Sequence, residues 1–171
     1  MKGLIAGLAV LLVLGVGFFL YSSPTEPSVE MTEADIAQIQ AELMSWTDEW
    51  IESSRSQDAD AVAALMDPDE ARYVVNATFH SGWEECRNAL ETLYAGWETW
   101  NGDWSGRSVE VLGPDVAFLI GQVRGPLTLV DGTEGINQVR LSFLLKKRVD
   151  GWKAVYGHGS GAFTPNPIAE G

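Results

Sequence analysis

Three patterns of apolar and polar positions divide this chain. Residues 4–20 are all apolar or glycine, with no charge among them. Beyond Thr32 the apolar positions recur every three or four residues, the period of a helix buried along one face. Ile36, Ile39, Leu43, Trp46 and Trp50 predict a long amphipathic helix that starts at Thr32, whose hydroxyl is followed three residues on by Asp35, and ends near Ser54. Asp58 can cap a short second helix carrying Ala61, Val62, Leu65 and Met66, stopped at Asp67-Pro68. After a brief extended stretch at 73–75, Ser81-Gly82-Trp83-Glu84 offers another capping box. Cys86, Leu90, Leu93, Tyr94, Trp97 and Trp100 then predict a third helix, stopped by Asn101-Gly102.

From Arg107 the period falls to two, which predicts strands at 108–112, 116–124, 127–130, 138–147 and 152–158. Gly113-Pro114-Asp115, Asp131-Gly132 and Asp150-Gly151 supply turns between them. Helices followed by a meander of strands describe an α+β layer rather than an alternating parallel sheet.

The uncharged run at 4–20 would rise about 25 Å as a helix, slightly less than the ~30 Å hydrocarbon core of a bilayer. It reads as a signal-anchor or a signal peptide over 1–23, followed by a linker at 24–31 that contains Pro24 and Pro27. A retained anchor is favoured, because no small-x-small triplet follows the run and Pro24 stands directly after Ser22-Ser23. Lys2 precedes the run and Glu26, Glu30, Glu33 and Asp35 follow it, so the domain at 32–164, with its tail at 165–171, is expected outside the cytoplasm.

Composition bounds the rest. The chain has 171 residues, 46% of them hydrophobic and seven of them Trp, enough for one domain with a real core. Its formal net charge of -13 repels a phosphate backbone and disfavours nucleic-acid partners. The lone Cys86 excludes an internal disulfide and is read as a filler on a helix face.

The order of these elements, together with the ending Asp150-Gly151-Trp152-Lys153-Ala154-Val155-Tyr156-Gly157-His158-Gly159-Ser160-Gly161, resembles the nuclear transport factor 2-like superfamily. The resemblance is to SnoaL-like members and relatives of the calcium/calmodulin-dependent kinase association domain. It covers roughly residues 33–163 and implies a cone: three helices packed on a curved mixed or antiparallel sheet, with a cavity open at one end. It also implies homodimers formed through the sheet. The enzymes of the superfamily place a carboxylate base between the first strand and the third helix, and here that stretch, Asn76-Ala77-Thr78-Phe79-His80-Ser81, holds no acid.

Candidate chemistry is therefore sought elsewhere. Tyr156, His158 and Ser160 share strand parity, as do Gln122 with Arg124 and Gln138 with Arg140 and Ser142. These sets could meet an anionic or carbonyl-bearing ligand at a cavity mouth; the resemblance to kinase association domains, whose cavity is lined by arginines, implies that role only approximately for the strands of Arg124 and Arg140. Equally, Leu119, Val123, Val139, Leu141, Phe143, Leu145 and Val155 could be the buried face, leaving the polar set on the outer or dimer face. The aromatic residues Trp46, Trp50, Tyr73, Phe79, Trp83, Trp97 and Trp100 are core or cavity lining.

The candidate ligand-binding set is Trp50, Tyr73, Trp97, Arg124, Arg140, Tyr156 and His158; no catalytic residue is assigned, with His158 the best candidate and His80 a weaker one. No cofactor or metal is expected: Asp67, Asp69 and Glu70 resemble a calcium-loop fragment without its glycine or closing Glu, and no His or Cys pair has zinc spacing. The expected function is binding of a small, partly apolar molecule by an exported or membrane-anchored domain. An isomerase- or cyclase-like enzyme using His158 with Arg140 or Tyr156, and a structural dimerisation module, are the alternatives.

Overall fold

Thr32 opens the domain as the sequence predicts. In the computed structural model, which describes residues 30–75 and 77–167, the Asp35 amide donates to the Thr32 hydroxyl at 3.2 Å and the Thr32 amide donates back to the Asp35 carboxylate at 2.9 Å. Helix α1 then runs over Glu33–Arg55 and buries Ile39, Leu43, Trp46 and Trp50 on one face. Each large apolar side chain buried there stabilises the fold by roughly 1.5–3 kcal/mol. Asp58 caps α2, Ala59–Ala64, by accepting from the Ala61 amide at 2.9 Å. The expected signal-anchor at 1–23 lies outside the described residues, as does nearly all of the linker. Among the described residues no helix is long and apolar enough to cross a membrane.

The third helix is shorter than its spacing predicts. Helix α3 spans Trp83–Tyr94, and Gly82, at φ 93°, precedes it without a side-chain cap. Instead the Glu85 carboxylate accepts from the Ser81 amide. The chain leaves the helix at Ala95-Gly96, and Trp97–Trp100 forms strand β3, with Trp97 opposite Leu129 and Trp100 opposite Leu127. An irregularity between Trp97 and Thr99 resets the parity. Both indoles thereby reach the interior, which mimics a helical spacing of three.

Seven strands form one mixed sheet. Strands β1 (Arg72–Val75) and β2 (Thr78–Ser81) make a hairpin, and β1 joins β7 (Gly151–Pro165) in parallel. Strands β7, β6 (Glu134–Arg148) and β5 (Val116–Leu129) then follow antiparallel. Strands β3 and β4 (Asp103–Gly113) share the far edge of β5 one after the other. The expected break at Gly125-Pro126 is absent, so the two predicted strands are one. The Pro126 carbonyl accepts from the Asn101 amide at 3.0 Å, and the missing N–H of Pro126 falls at the β5 edge where β3 gives way to β4, so it costs the ladder one reciprocal bond at most.

The sheet curls around α1. Trp46 and Trp50 meet the Phe143 ring edge-on at 5.2 and 5.8 Å, and Trp104 stands 5.7 Å from Trp50. Strand β7 carries one extra residue, Val155, between the pairs Leu145–Ala154 and Leu144–Tyr156. This bulge exchanges the two faces: Trp152 and Ala154 are buried before it, Gly157 and Gly159 after it. Asp67, buried three residues beyond α2, accepts from the Asp69 and Glu70 amides and from Arg148.

Candidate functional site

One end of the cone is hollow. A cavity of about 230 Å³ lies between α1, α3 and the inward face of the sheet. Trp50 and Ser54 of α1 and Leu90, Leu93 and Tyr94 of α3 form one side. Tyr73, Trp97, Trp100 and the inward residues of β5 and β6 form the other. Strand β7 contributes backbone more than side chains, because Gly159 and Gly161 face inward where larger residues would occupy the space.

The wall contains no Asp, Glu, His, Lys or Arg. Its titratable groups are two tyrosines. Burial pushes the Tyr94 hydroxyl up to about 12, opposed by its hydrogen bond to Ser54 at 3.2 Å and reinforced by the charge of Asp58. Burial also raises Tyr73, with smaller contributions from Tyr94 and Cys86. Both are neutral phenols at physiological pH, able to donate a hydrogen bond and unable to serve as bases. Cys86 is fully buried in the core, and burial followed by the Glu85 charge pushes its thiol up to about 11. It is not a nucleophile.

Several polar groups of the wall have no hydrogen-bond partner among the described residues, the Tyr73 hydroxyl and the Trp97 indole N–H included. The indole N–H groups of Trp50 and Trp100 are buried and unpaired. Asn137 is 8% exposed and sits on the inward row of β6 among apolar neighbours, where no described residue hydrogen-bonds its carboxamide. Asn137 lies outside the strand predicted at 138–147, and only its shared parity with Val139, Leu141 and Phe143 points to it.

The seven candidate ligand residues divide between the two faces of the sheet. Trp50, Tyr73 and Trp97 line the cavity. Arg124, Arg140, Tyr156 and His158 lie on the opposite, outward face, so the set does not form one site. The cause is parity: Val139 and Leu141 turn inward and Arg140 outward, and after the Val155 bulge Gly159 turns inward and His158 outward. Arg140, His158 and Ser160 instead flank an open groove with Gln122 and Ser142. His80 lies in a separate groove between β2 and α3, beside Glu85. No acid or base suggested by the sequence reaches the cavity.

Comparison with solved structures places this geometry. A hexachlorocyclohexane dehydrochlorinase from Novosphingobium barchaimii LL02 superposes with a TM-score of 0.70 at 16% identity, over 80% of this chain and 96% of that one. A nuclear transport factor 2-like superfamily protein from Salmonella enterica serovar Typhimurium gives 0.67 at 18% identity, over 80% and 99%. A kinase association-domain-like protein from Xanthomonas campestris gives 0.58 at 22%, over 83% and 96%. At these identities the likeness is one of fold: the domain has the nuclear transport factor 2-like α+β fold, with a curled mixed sheet and few helices. No curated protein matches the chain. The SnoaL-like domain profile matches residues 43–164, which is most of the sequence, and the chain belongs to the SnoaL-like domain family.

Proposed function

We propose that the domain binds a small, uncharged, largely apolar molecule inside the cone and performs no acid–base chemistry on it. The observation that carries this reading is a cavity of about 230 Å³ with aromatic and aliphatic walls and no charged side chain. That volume exceeds the roughly 150 Å³ apolar cavity that accepts benzene and falls below the ~300–1,000 Å³ of drug-sized sites. Two fused rings are the expected size. An ion brought into this wall would lose its hydration without gaining a counter-charge, so charged ligands are disfavoured. The dehydrochlorinase neighbour shares the fold, and its reaction is not carried over, because here the wall offers no base.

The test is calorimetric titration of the full chain with naphthalene. Binding to the wild type and loss of binding in Val139→Phe, which puts a ring into the wall, are expected; equal binding by both proteins would overturn the reading.

A second reading concerns the outward face of the sheet, which we propose as a self-association surface. Ile120 is 49% exposed there, opposite Ser142, with Ser142 in turn opposite His158. Glu110 lies towards one end of this face, while Arg124 and Arg140, with no ion pair among the described residues, lie towards the other. A two-fold axis through Ile120 sets arginine against glutamate in both directions. A concentration-independent monomer in sedimentation equilibrium would remove this reading.

A further inference from the structure

We infer that Asn137 selects the cavity's ligand, and that the ligand is a planar neutral ring carrying a lactam-type edge, with a carbonyl oxygen beside an N–H. This inference rests on the cavity reading above and deepens it.

Asn137 belongs to the inward row of β6, between Gly135 and Val139, and is more than nine-tenths buried. In register it faces Gly125 on β5 and Phe163 on β7. Neither neighbour supplies a polar side chain, and from Gly135 to Leu145 the rest of the inward row on β6 is glycine or apolar; the row's Lys147 lies at the far end, paired with Glu42 of α1. A carboxamide presents an acceptor oxygen and a donor nitrogen side by side, and among the described residues neither has a hydrogen-bond partner here. A ligand edge that satisfies the two together must carry a donor next to an acceptor. A cis-amide in a ring does this by two parallel hydrogen bonds, whereas a hydrocarbon satisfies neither group.

The surrounding wall argues for planarity. Phe163, Trp97 and Trp100 stand around the same end, with the two indoles 5.3 Å apart. Aromatic faces of this kind accept flat rings by stacking or edge contact.

The test compares 2-quinolinone with naphthalene, planar bicycles of nearly equal size, by calorimetric titration of the full chain. Both are expected to bind the wild type. Asn137→Leu is expected to weaken 2-quinolinone relative to naphthalene by about tenfold, the factor that one net hydrogen bond of ~1.4 kcal/mol represents. Asn137→Ala, which leaves more room and carries the comparison if the leucine variant fails to fold, is expected to shift the ratio in the same direction. If naphthalene binds and neither variant moves the ratio, Asn137 does not select the ligand, while cavity binding stands. If neither compound binds the wild type, the cavity reading fails and this inference fails with it.

Discussion

The Tyr73 ring occupies the space beside Gly157 that any other residue's side chain would need: a Cβ added at Gly157 would lie 2.6 Å from the ring carbon Cδ2. The two residues are partners in the parallel pairing of β1 with β7, so the tyrosine reaches the interior across a strand that has no side chain at that point. Gly157→Ala must therefore displace Tyr73, itself wedged in the core. It is expected to destabilise the fold by about 1–3 kcal/mol, as overpacking does. Gly159→Ala is the control, since its Cβ would meet nothing nearer than the Leu141 Cδ2 at 3.3 Å, the Tyr73 hydroxyl at 3.4 Å and the Val139 Cγ1 at 3.9 Å. Urea midpoints should separate the two variants.

Asn137 should oppose stability where it serves binding. An unpaired carboxamide in an apolar wall is a desolvation penalty of roughly 1–3 kcal/mol, and leucine, which has the same branched heavy-atom skeleton and can expand into the adjoining cavity, removes it. Asn137→Leu is expected to raise the ligand-free melting temperature. A fall would show that a partner for the carboxamide has been overlooked.

Acid should weaken the other end of the cone. Glu42 is held at about 2, well below its ordinary 4.5, first by the hydrogen bond from Lys147, then by that from the Trp152 indole, then by that from Gln38. Because the folded-state value is depressed, the contribution is complete above about 4.5, shrinks as the pH falls, and is gone below about 2. Partial exposure screens it, so a contribution of about 1–2 kcal/mol at neutral pH is expected. In Glu42→Gln the stability lost between pH 5 and 2 should shrink by that amount, as measured by urea unfolding at each pH.

Cys86 should resist alkylation in the folded protein. Its thiol is buried and raised to about 11, so iodoacetamide at pH 8 is expected to react only as fast as the domain opens. Rapid modification without denaturant would contradict the burial.

Much of this architecture was legible in the residues themselves. The Thr32–Asp35 capping box, the α1 stripe and the three strand turns stand where their chemistry puts them, because each is a local signal. Trp97 and Trp100 misled, since an irregular strand and a helix can present residues three apart on one side. Gly125-Pro126 misled for a different reason: the strand partner that would have needed the proline's N–H changes at that point. The site was half legible. Trp50, Tyr73 and Trp97 were read as pocket candidates and line the cavity, but nothing local says which parity of a curled sheet faces inward. The Val155 bulge decides that on β7, and it is visible only when β6 lies beside it. Asn137 is missed because the predicted strand begins at 138, four residues after the start of β6 at Glu134.

Ligand should enter the cone and not the groove of Arg140 and His158. In a crystal of the protein soaked with 2-quinolinone, density for the ring is expected between Trp97, Phe163 and Gly159, with its lactam edge on Asn137. Density in the outward groove, with the cone unaltered, would contradict it.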